Sequence, residues 1–379
     1  MVETTPAVDT SPVDGGSEYR LLTLFSRKAL GSAQAAQAHE LLREEGLRWE
    51  YLMGIAGYHG VQPLLYYHLR REGADLVPEA AFAKLRAVVG ARSAHSIVLE
   101  HELGRLAGTF ESEGLPLLAV KGPALAHNVY GSIALRPFVD LDLIVRRGDF
   151  ERVEALLRRE GYDAGPMPTF QKVSYLFIHG QYTFWRRLSD MGSAAAVLDI
   201  HTAVMPPGYS YSEDFDDLFA RSETRSIAGA DTHVLEREDL LQVLCYHGFK
   251  NRWDRLKYVC DVAEFLRAYP DLDWEVVHRR ADAMHSRRVL WLGLALAQQL
   301  LGAPLPGEVA RDIRGDRRVQ ALSMAILERL PKQAHMRVEP YAERVRLNFL
   351  AQDSLLGGLR YGAYAAVRRV SRLYIPEND

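Results

Sequence analysis

The chain has 379 residues, which is too long for one ordinary hydrophobic core, so we expect two or three packed units. Apolar residues make up 48% of the sequence and charged residues 25%, as in globular proteins, and the formal net charge is -3. This balance gives no general attraction to nucleic acid or anionic lipid, so any phosphate binding has to be local.

Cysteine usage and the opening segment bear on location. Cys245 and Cys260 both lie in a segment with helical periodicity, which predicts small core residues in a reducing compartment and no disulfide framework. The opening segment MVETTPAVDTSPVDGGSE lacks a basic region followed by an apolar one, and no apolar run approaches the roughly 20 residues that span a bilayer. These features predict a cytoplasmic protein without a membrane segment.

The first part of the chain divides into a tail and a helical unit. Residues 1–17 are rich in Thr, Pro, Ser, Asp and Gly, a composition that predicts a disordered tail. Across residues 18–114 the apolar positions recur at helical spacing, as in SIVLEHELGRLAGTFESEG. We therefore predict an N-terminal helical unit.

Residues 115–205 mix strand and helix patterns. LPLLAVKG has the pattern of a buried strand entering a turn, and PALAHNVYG that of a helix with proline at its start and glycine at its end. FVDLDLIV alternates as a strand, GDFERVEALLRREGY is an amphipathic helix, and QYTFWRRLS with AAVLDIHTAV predicts an antiparallel pair around the loop DMGSA. The order predicts an α+β fold: a small core with a mixed sheet, flanked by helical units.

The remainder, residues 206–379, returns to helical periodicity and predicts a C-terminal helical domain. Several cations lie between His247 and Lys257, and such a run is either a solvated helix face or a surface for a nucleotide or a charged acceptor. Asp261 lies on an otherwise apolar face, where we expect it to cap or pair within the core.

Two acids in the strand VDLDLIV predict a metal site. Side chains two apart on a strand face the same way, so Asp140 and Asp142 meet on one side while their apolar neighbours pack on the other. Crowded carboxylates repel unless a cation neutralises them, and oxygen ligands favour Mg²⁺ or Mn²⁺. An edge strand with a solvated acidic face is the alternative.

A third acid, Asp199, lies on the apolar strand segment VLDIH, where an unpaired charge is costly to bury. Three carboxylates suit metal-assisted transfer, with an attacking hydroxyl activated and a triphosphate held. Asp199 alone would also fit a structural ion pair. His201 faces the same way and is either a satisfied polar residue or a member of the site.

These residues resemble a known family. The run LLAVKGPALAHNVYG, then Arg136, VDLDLIV, a helix ending in EGY, and VLDIHTAV resembles the uncharacterised bacterial nucleotidyltransferase family of the polymerase-β-like superfamily. YHGVQPLLYYHL upstream and HGFKNRWDRLKYVCDVAEFL downstream resemble its flanking helical motifs, so the likeness covers most of residues 20–270.

The resemblance implies a role for each matching residue. It makes Asp140 and Asp142 metal ligands, and Asp199 a general base or third ligand. Gly122 would let the backbone approach the nucleotide phosphates because it lacks a Cβ. Lys121 and Arg136 would bind the triphosphate, with Arg136 favoured because its planar fork matches phosphate oxygens.

One departure concerns Pro123, which stands where many members of the superfamily have serine and offers neither a hydroxyl nor an N–H. This substitution puts the grip on the triphosphate, and turnover itself, in question.

Other catalytic templates are missing from the sequence. P-loop, dinucleotide, zincin, hydrolase-elbow and paired C-x-x-C motifs do not occur, and no basic stripe with interleaved aromatic residues indicates a nucleic-acid partner. The three carboxylates and the family resemblance together predict a metal-dependent nucleotidyltransferase, with ATP as the default donor and a small molecule or peptide as the acceptor. Two alternatives stay open: another phosphoryl or glycosyl transfer by the same carboxylates, and a nucleotide-binding protein without turnover.

Overall fold

The computed structural model describes residues 16–165, 180–188, 195–205, 213–335 and 341–371. Of the predicted tail, residues 1–15 lie outside these ranges, and the first helix begins at Ser17. The helical periodicity predicted before the first strand is confirmed. The helices there are α1 (Ser17–Phe25), α2 (Ser32–Leu42), α3 (Trp49–His59), α4 (Gln62–Glu72) and α5 (Glu79–Ser112).

A mixed sheet of six strands follows within the described residues, in the order β3-β4-β2-β1-β6-β5. Its neighbours pair antiparallel except for β2 with β4 and β1 with β6, which are parallel. The strands are β1 (Leu117–Ala119), β2 (Leu141–Val145), β3 (Gln181–Arg187), β4 (Ala195–His201), β5 (Glu223–Ile227) and β6 (Ala230–Val234). The predicted α+β fold class is confirmed.

The last two strands correct the sequence analysis, which predicted only helix from residue 206 onward. Ala228 and Gly229, with φ of 49° and 81°, form the turn that joins β5 to β6, and such φ values suit a two-residue hairpin. Through Ala119 opposite Val234, β6 extends the sheet beyond β1. The sheet therefore includes strands that follow residue 205 in the chain.

The central predictions are largely confirmed. β3 and β4 pair antiparallel as expected, although the DMGSA loop between them lies outside the described residues. The helix predicted at PALAHNVYG is a short helix α6 (Pro123–Leu125) that continues as a π-helical turn (Ala126–Tyr130), and helix α7 (Phe150–Arg159) follows β2. The prediction that Asp140 lies within this strand is wrong, because β2 begins at Leu141 and Asp140 lies just before it.

The helical C-terminal part begins after β4 with a short helix and continues after β6. Its described helices are α8 (Phe215–Ala220), α9 (Arg237–Lys250), α10 (Leu256–Ala268), α11 (Trp274–Ala283), α12 (Arg287–Leu301), α13 (Gly307–Gly315), α14 (Arg317–Arg329), α15 (Tyr341–Leu350) and α16 (Leu355–Ser371). Among the helices described, none is both long and apolar enough to cross a membrane.

Alternation along the strands divides the buried residues into two cores. Leu141 and Leu143 of β2 pack with α5 and α7 on one face of the sheet. Ile144 points to the other face, where it joins a core that the N-terminal and C-terminal helices share. Asp142 lies on the same face as Ile144, since the two are two residues apart on the strand. Asp142 of β2 and its register partner Asp199 of β4 therefore point away from α7, toward the face that the N-terminal and C-terminal helices share.

Candidate active site

A cavity of about 610 Å³ lies between the sheet and the helices α9 and α10. Its wall contains every residue that the sequence analysis singled out for metal or phosphate. These residues are Lys121, Gly122, Arg136, Asp140, Asp142 and Asp199. Arg92, Lys250, Arg255 and Lys257 line the same cavity. It therefore combines carboxylates with an excess of cations.

Two carboxylates meet at the floor of the cavity. Asp142 of β2 and Asp199 of β4 are register partners on parallel strands, so their side chains project side by side. With His201, they offer ligand atoms that all lie within 4.8 Å of one another. Asp140 is outside that group but shares the cavity wall with it. Two carboxylates and an imidazole at this spacing fit a small divalent cation.

Neighbouring side chains hold these groups in place. His201 Nε2 donates to Asp142 Oδ1 at 3.1 Å. Thr183, opposite Asp199 in the register of β3 and β4, donates its hydroxyl to Asp199 Oδ1 at 2.6 Å. Such hydrogen bonds orient a carboxylate before any ligand binds.

Lys121 forms an ion pair with Asp142 in the site. Its ammonium is 2.9 Å from Asp142 Oδ2 and 3.1 Å from His247 Nδ1, near the end of α9. Because an ammonium can only donate, Nδ1 of His247 is the acceptor in this contact. Lys121, predicted as a phosphate-binding cation, is thus placed on the acid it would have to leave in order to bind phosphate.

The two neighbouring acids differ in their pKa values. Burial raises the pKa of Asp140, and the charge of Asp142 raises it further. Burial also acts to raise the pKa of Asp142, but Lys121 and the hydrogen bond from His201 outweigh it and hold that pKa well below its ordinary value. Burial and the charge of Lys121 lower the pKa of His247 well below its ordinary value, which keeps the imidazole neutral. Asp142 is therefore the anionic centre of the site.

Arg136, predicted as the best phosphate ligand, forms a bidentate ion pair with Asp261 of α10. Its Nη2 and Nε donate to the two carboxylate oxygens at 2.8 Å and 3.2 Å, and the Tyr130 hydroxyl donates to the same acid at 2.8 Å. This pair joins the segment before β2 to α10. The expectation that Asp261 would pair within the core is confirmed.

Gly122 forms the turn between β1 and α6 with a φ of 65° and a ψ of -124°. Only glycine adopts this backbone region readily, and Pro123 then begins α6 as predicted. A Cβ at Gly122 would come no closer than 3.7 Å to a neighbouring side-chain atom, so its requirement for glycine comes from the backbone angles.

The sequence analysis missed Thr183 and the contact of His247 with Lys121. Alternation had placed Thr183 on a strand paired with that of Asp199, so the register would have identified it. His247 lies 126 residues from Lys121, and no local pattern reports such a contact. Lys250, which donates to Gln181 Oε1 at 2.7 Å, likewise links α9 to β3.

Residues 34–302 match the sequence profile of a family described as uncharacterised nucleotidyltransferase. The chain belongs to this family. No curated protein sequence matches it. As a member of the family, it is a transferase of nucleotidyl groups.

Two solved structures are similar to parts of this family member. The solution structure of the antibiotic-resistance factor ANT(2'')-Ia shares 17% identity over 50% of this chain and 91% of its own, with a TM-score of 0.33. The crystal structure of an antigenic nucleotidyltransferase-like protein from Paracoccidioides brasiliensis shares 11% identity over 56% of this chain and 96% of its own, with a TM-score of 0.34. Both scores are low, and the family assignment rests on the sequence match.

Proposed function

We propose that this nucleotidyltransferase is metal-dependent and transfers a nucleoside monophosphate to a hydroxyl or phosphate of a small molecule, with ATP as the default donor. The observation that carries the proposal is the register pairing of Asp142 with Asp199 at the floor of the cavity. Parallel strands bring the two acids together at one level, and both are half-buried, so their paired charges are costly unless a cation neutralises them.

The proposed reaction is an in-line displacement. An oxygen of the acceptor forms a bond to the α-phosphorus of the donor, and the bond from that phosphorus to the bridging oxygen breaks. Pyrophosphate leaves with the electron pair of the broken bond. The proton of an acceptor hydroxyl passes to a carboxylate of the site and then to solvent.

The side chains divide the work among them. Asp142 and Asp199 would hold Mg²⁺ or Mn²⁺, with Asp140 beside them as a further ligand, and the bound ion would neutralise the charge of the phosphates and of the leaving pyrophosphate. Thr183 orients Asp199 through Oδ1, so Oδ2 can face a ligand or accept a proton. Lys121 balances the charge of Asp142 before the donor binds.

The size of the cavity and the net charge of the chain support a small acceptor. At about 610 Å³ it lies within the range of roughly 300–1,000 Å³ that is usual for small-molecule sites. A net charge of -3 offers no extended attraction for nucleic acid. We therefore propose a metabolite such as a sugar, an antibiotic or a natural-product intermediate, with a peptide as the alternative.

The test is pyrophosphate release with each of the four nucleoside triphosphates and Mg²⁺ or Mn²⁺, in the presence of a small-molecule extract. Mass spectrometry would identify the product, since nucleotidyl, phosphoryl and glycosyl additions differ in mass. Asp142→Asn and Asp199→Asn should each lower the rate by roughly 100-fold or more while the fold is kept. Asp231→Asn, at an exposed position of the same sheet, is the matched control. Full activity in either site variant would refute the proposal.

Nucleotide binding without turnover is the second candidate, favoured by the ammonium of Lys121 on Asp142 and by Pro123 after the glycine turn. Calorimetry with nucleotide and Mg²⁺, run beside the pyrophosphate assay, separates the two functions. Binding with no pyrophosphate released for any donor would favour this second candidate.

A further inference from the structure

Lys257, in the first turn of α10, is a cation of the cavity that the proposed function does not yet use. Lys121 is paired with Asp142, and Arg136 with Asp261. Among the described residues, no carboxylate lies within ion-pair distance of Lys257 and no acceptor within hydrogen-bond distance. Its ammonium makes a cation–π contact with the neighbouring residue, since Nζ lies 5.1 Å from the centroid of the Tyr258 ring.

The surroundings of Lys257 suit an ammonium that binds an anionic ligand. The side chain is half-buried and lines the cavity. Burial and the nearby charge of Arg136 lower its pKa to about 8, while Asp261 and Asp140 act in the opposite direction. The charge of Asp140 thus acts on Lys257, and both side chains line the same cavity.

The N-terminal helices hold this lysine in place. Gly60 ends α3 in the left-handed region with a φ of 71°, and a Cβ at this glycine would lie 2.8 Å from Lys257 Cδ. The neighbouring His59 accepts the backbone N–H of Leu256 at its Nδ1, at 3.3 Å. The end of α3 therefore fits against both the stem of Lys257 and the start of α10.

We propose that Lys257 binds the phosphates of the donor triphosphate and that Gly60 positions it to do so. This inference rests on the proposed function. An ammonium offers three donors to phosphate oxygens as a compact point charge, and here it lines the same cavity as the acids that would hold the metal. Donor binding then requires contributions from the sheet, from α10 and from the end of α3.

The first test uses Lys257→Gln and calorimetry with Mg²⁺ and non-hydrolysable analogues of the four nucleoside triphosphates. The affinity for the triphosphate analogue should fall about 10-fold or more, because a charge-assisted hydrogen bond is lost. Affinity for the matching nucleoside monophosphate should stay the same, and Lys257→Arg should recover part of the loss. Lys84→Gln, which removes an ammonium from an exposed pair with Glu50, is the control.

The outcomes separate the two proposals. Unchanged triphosphate affinity in Lys257→Gln, with normal binding by the natural protein, overturns this inference and leaves the proposed function in place. An equal loss for triphosphate and monophosphate also overturns it, because the lysine would then act on the fold or on the nucleoside. If the natural protein binds none of the analogues, both proposals fail together.

The positioning role of Gly60 has a matched control in Gly302. Both glycines end a helix in the left-handed region, with φ values of 71° and 63°, so alanine strains the backbone at each. A Cβ at Gly302 meets nothing within 4 Å, whereas one at Gly60 meets the lysine stem. Gly60→Ala should weaken triphosphate binding several-fold, and Gly302→Ala should leave it unchanged. Equal affinities in the two folded variants would overturn the positioning role.

Discussion

The substitution Asp261→Asn would test whether Arg136 is a structural residue or a ligand for the donor. The two side chains form a bidentate pair at 2.8 Å and 3.2 Å, with exposed side-chain fractions of only 17% for Arg136 and 4% for Asp261. Removing one partner of a buried pair leaves an uncompensated charge and costs about 3–5 kcal/mol. Because Arg136 keeps some access to water, we expect a loss near the lower end, about 3 kcal/mol.

Urea denaturation followed by circular dichroism would measure the free energy of unfolding of Asp261→Asn. The control is Glu50→Gln, which breaks an exposed pair with Lys84, whose side-chain exposures are 73% and 64%, and should cost less than about 1 kcal/mol. If Asp261→Asn loses no more stability than this control, Arg136 is not held by Asp261. The guanidinium would then be available to the donor, and a structural role for the Arg136–Asp261 pair would be refuted.

Two further predictions concern the backbone and pH. Gly122→Ala should lose about 1–3 kcal/mol because of its positive φ. Gly315→Ala, at the last residue of α13 and with open space around its Cβ, should not lose stability, and equal melting temperatures of the two variants would contradict this. Burial, and to a smaller extent the charge of Arg255, lowers the pKa of His59 from its ordinary 6.5 to about 3. Below about pH 6.5 the unfolded chain therefore binds a proton at His59 that the folded chain does not bind. The free energy of unfolding should therefore decrease as the pH decreases below this value. In urea titrations at several pH values, His59→Gln should show a smaller decrease, and an unchanged dependence on pH would exclude His59 as a cause.

Local patterns account for much of the fold. The alternation in VDLDLIV and VLDIH gave the two strands that carry Asp142 and Asp199, and helical spacing gave α7 and the flanking helices. β5 and β6 were missed because both lie within a part of the chain that otherwise has helical periodicity, and because β5 carries a single apolar residue, Ile227. Their signal was the alternation in ADTHV directly after a turn that ends in glycine.

The candidate site was harder to predict than the strands that carry it. The acids were recognisable because Asp142 and Asp199 are polar residues within apolar strands and Asp140 lies directly before one of them. The carboxylate partner of Arg136 lies 125 residues away and the imidazole partner of Lys121 lies 126 residues away, so these two contacts depend on how the C-terminal helices pack against the sheet. A sequence shows which cations are near the motif, but only the packed chain shows which of them already have a counter-charge.

The pairing of β6 with β1 affects how the protein can be divided. A fragment that stops at residue 205 retains all three aspartates, yet it loses the strand that covers β1 on the side away from β2. The uncovered edge would present unsatisfied amide and carbonyl groups to other molecules, which favours aggregation. Ile227 and Val234 would also leave the core beneath the sheet. Soluble fragments should accordingly extend at least through Val234.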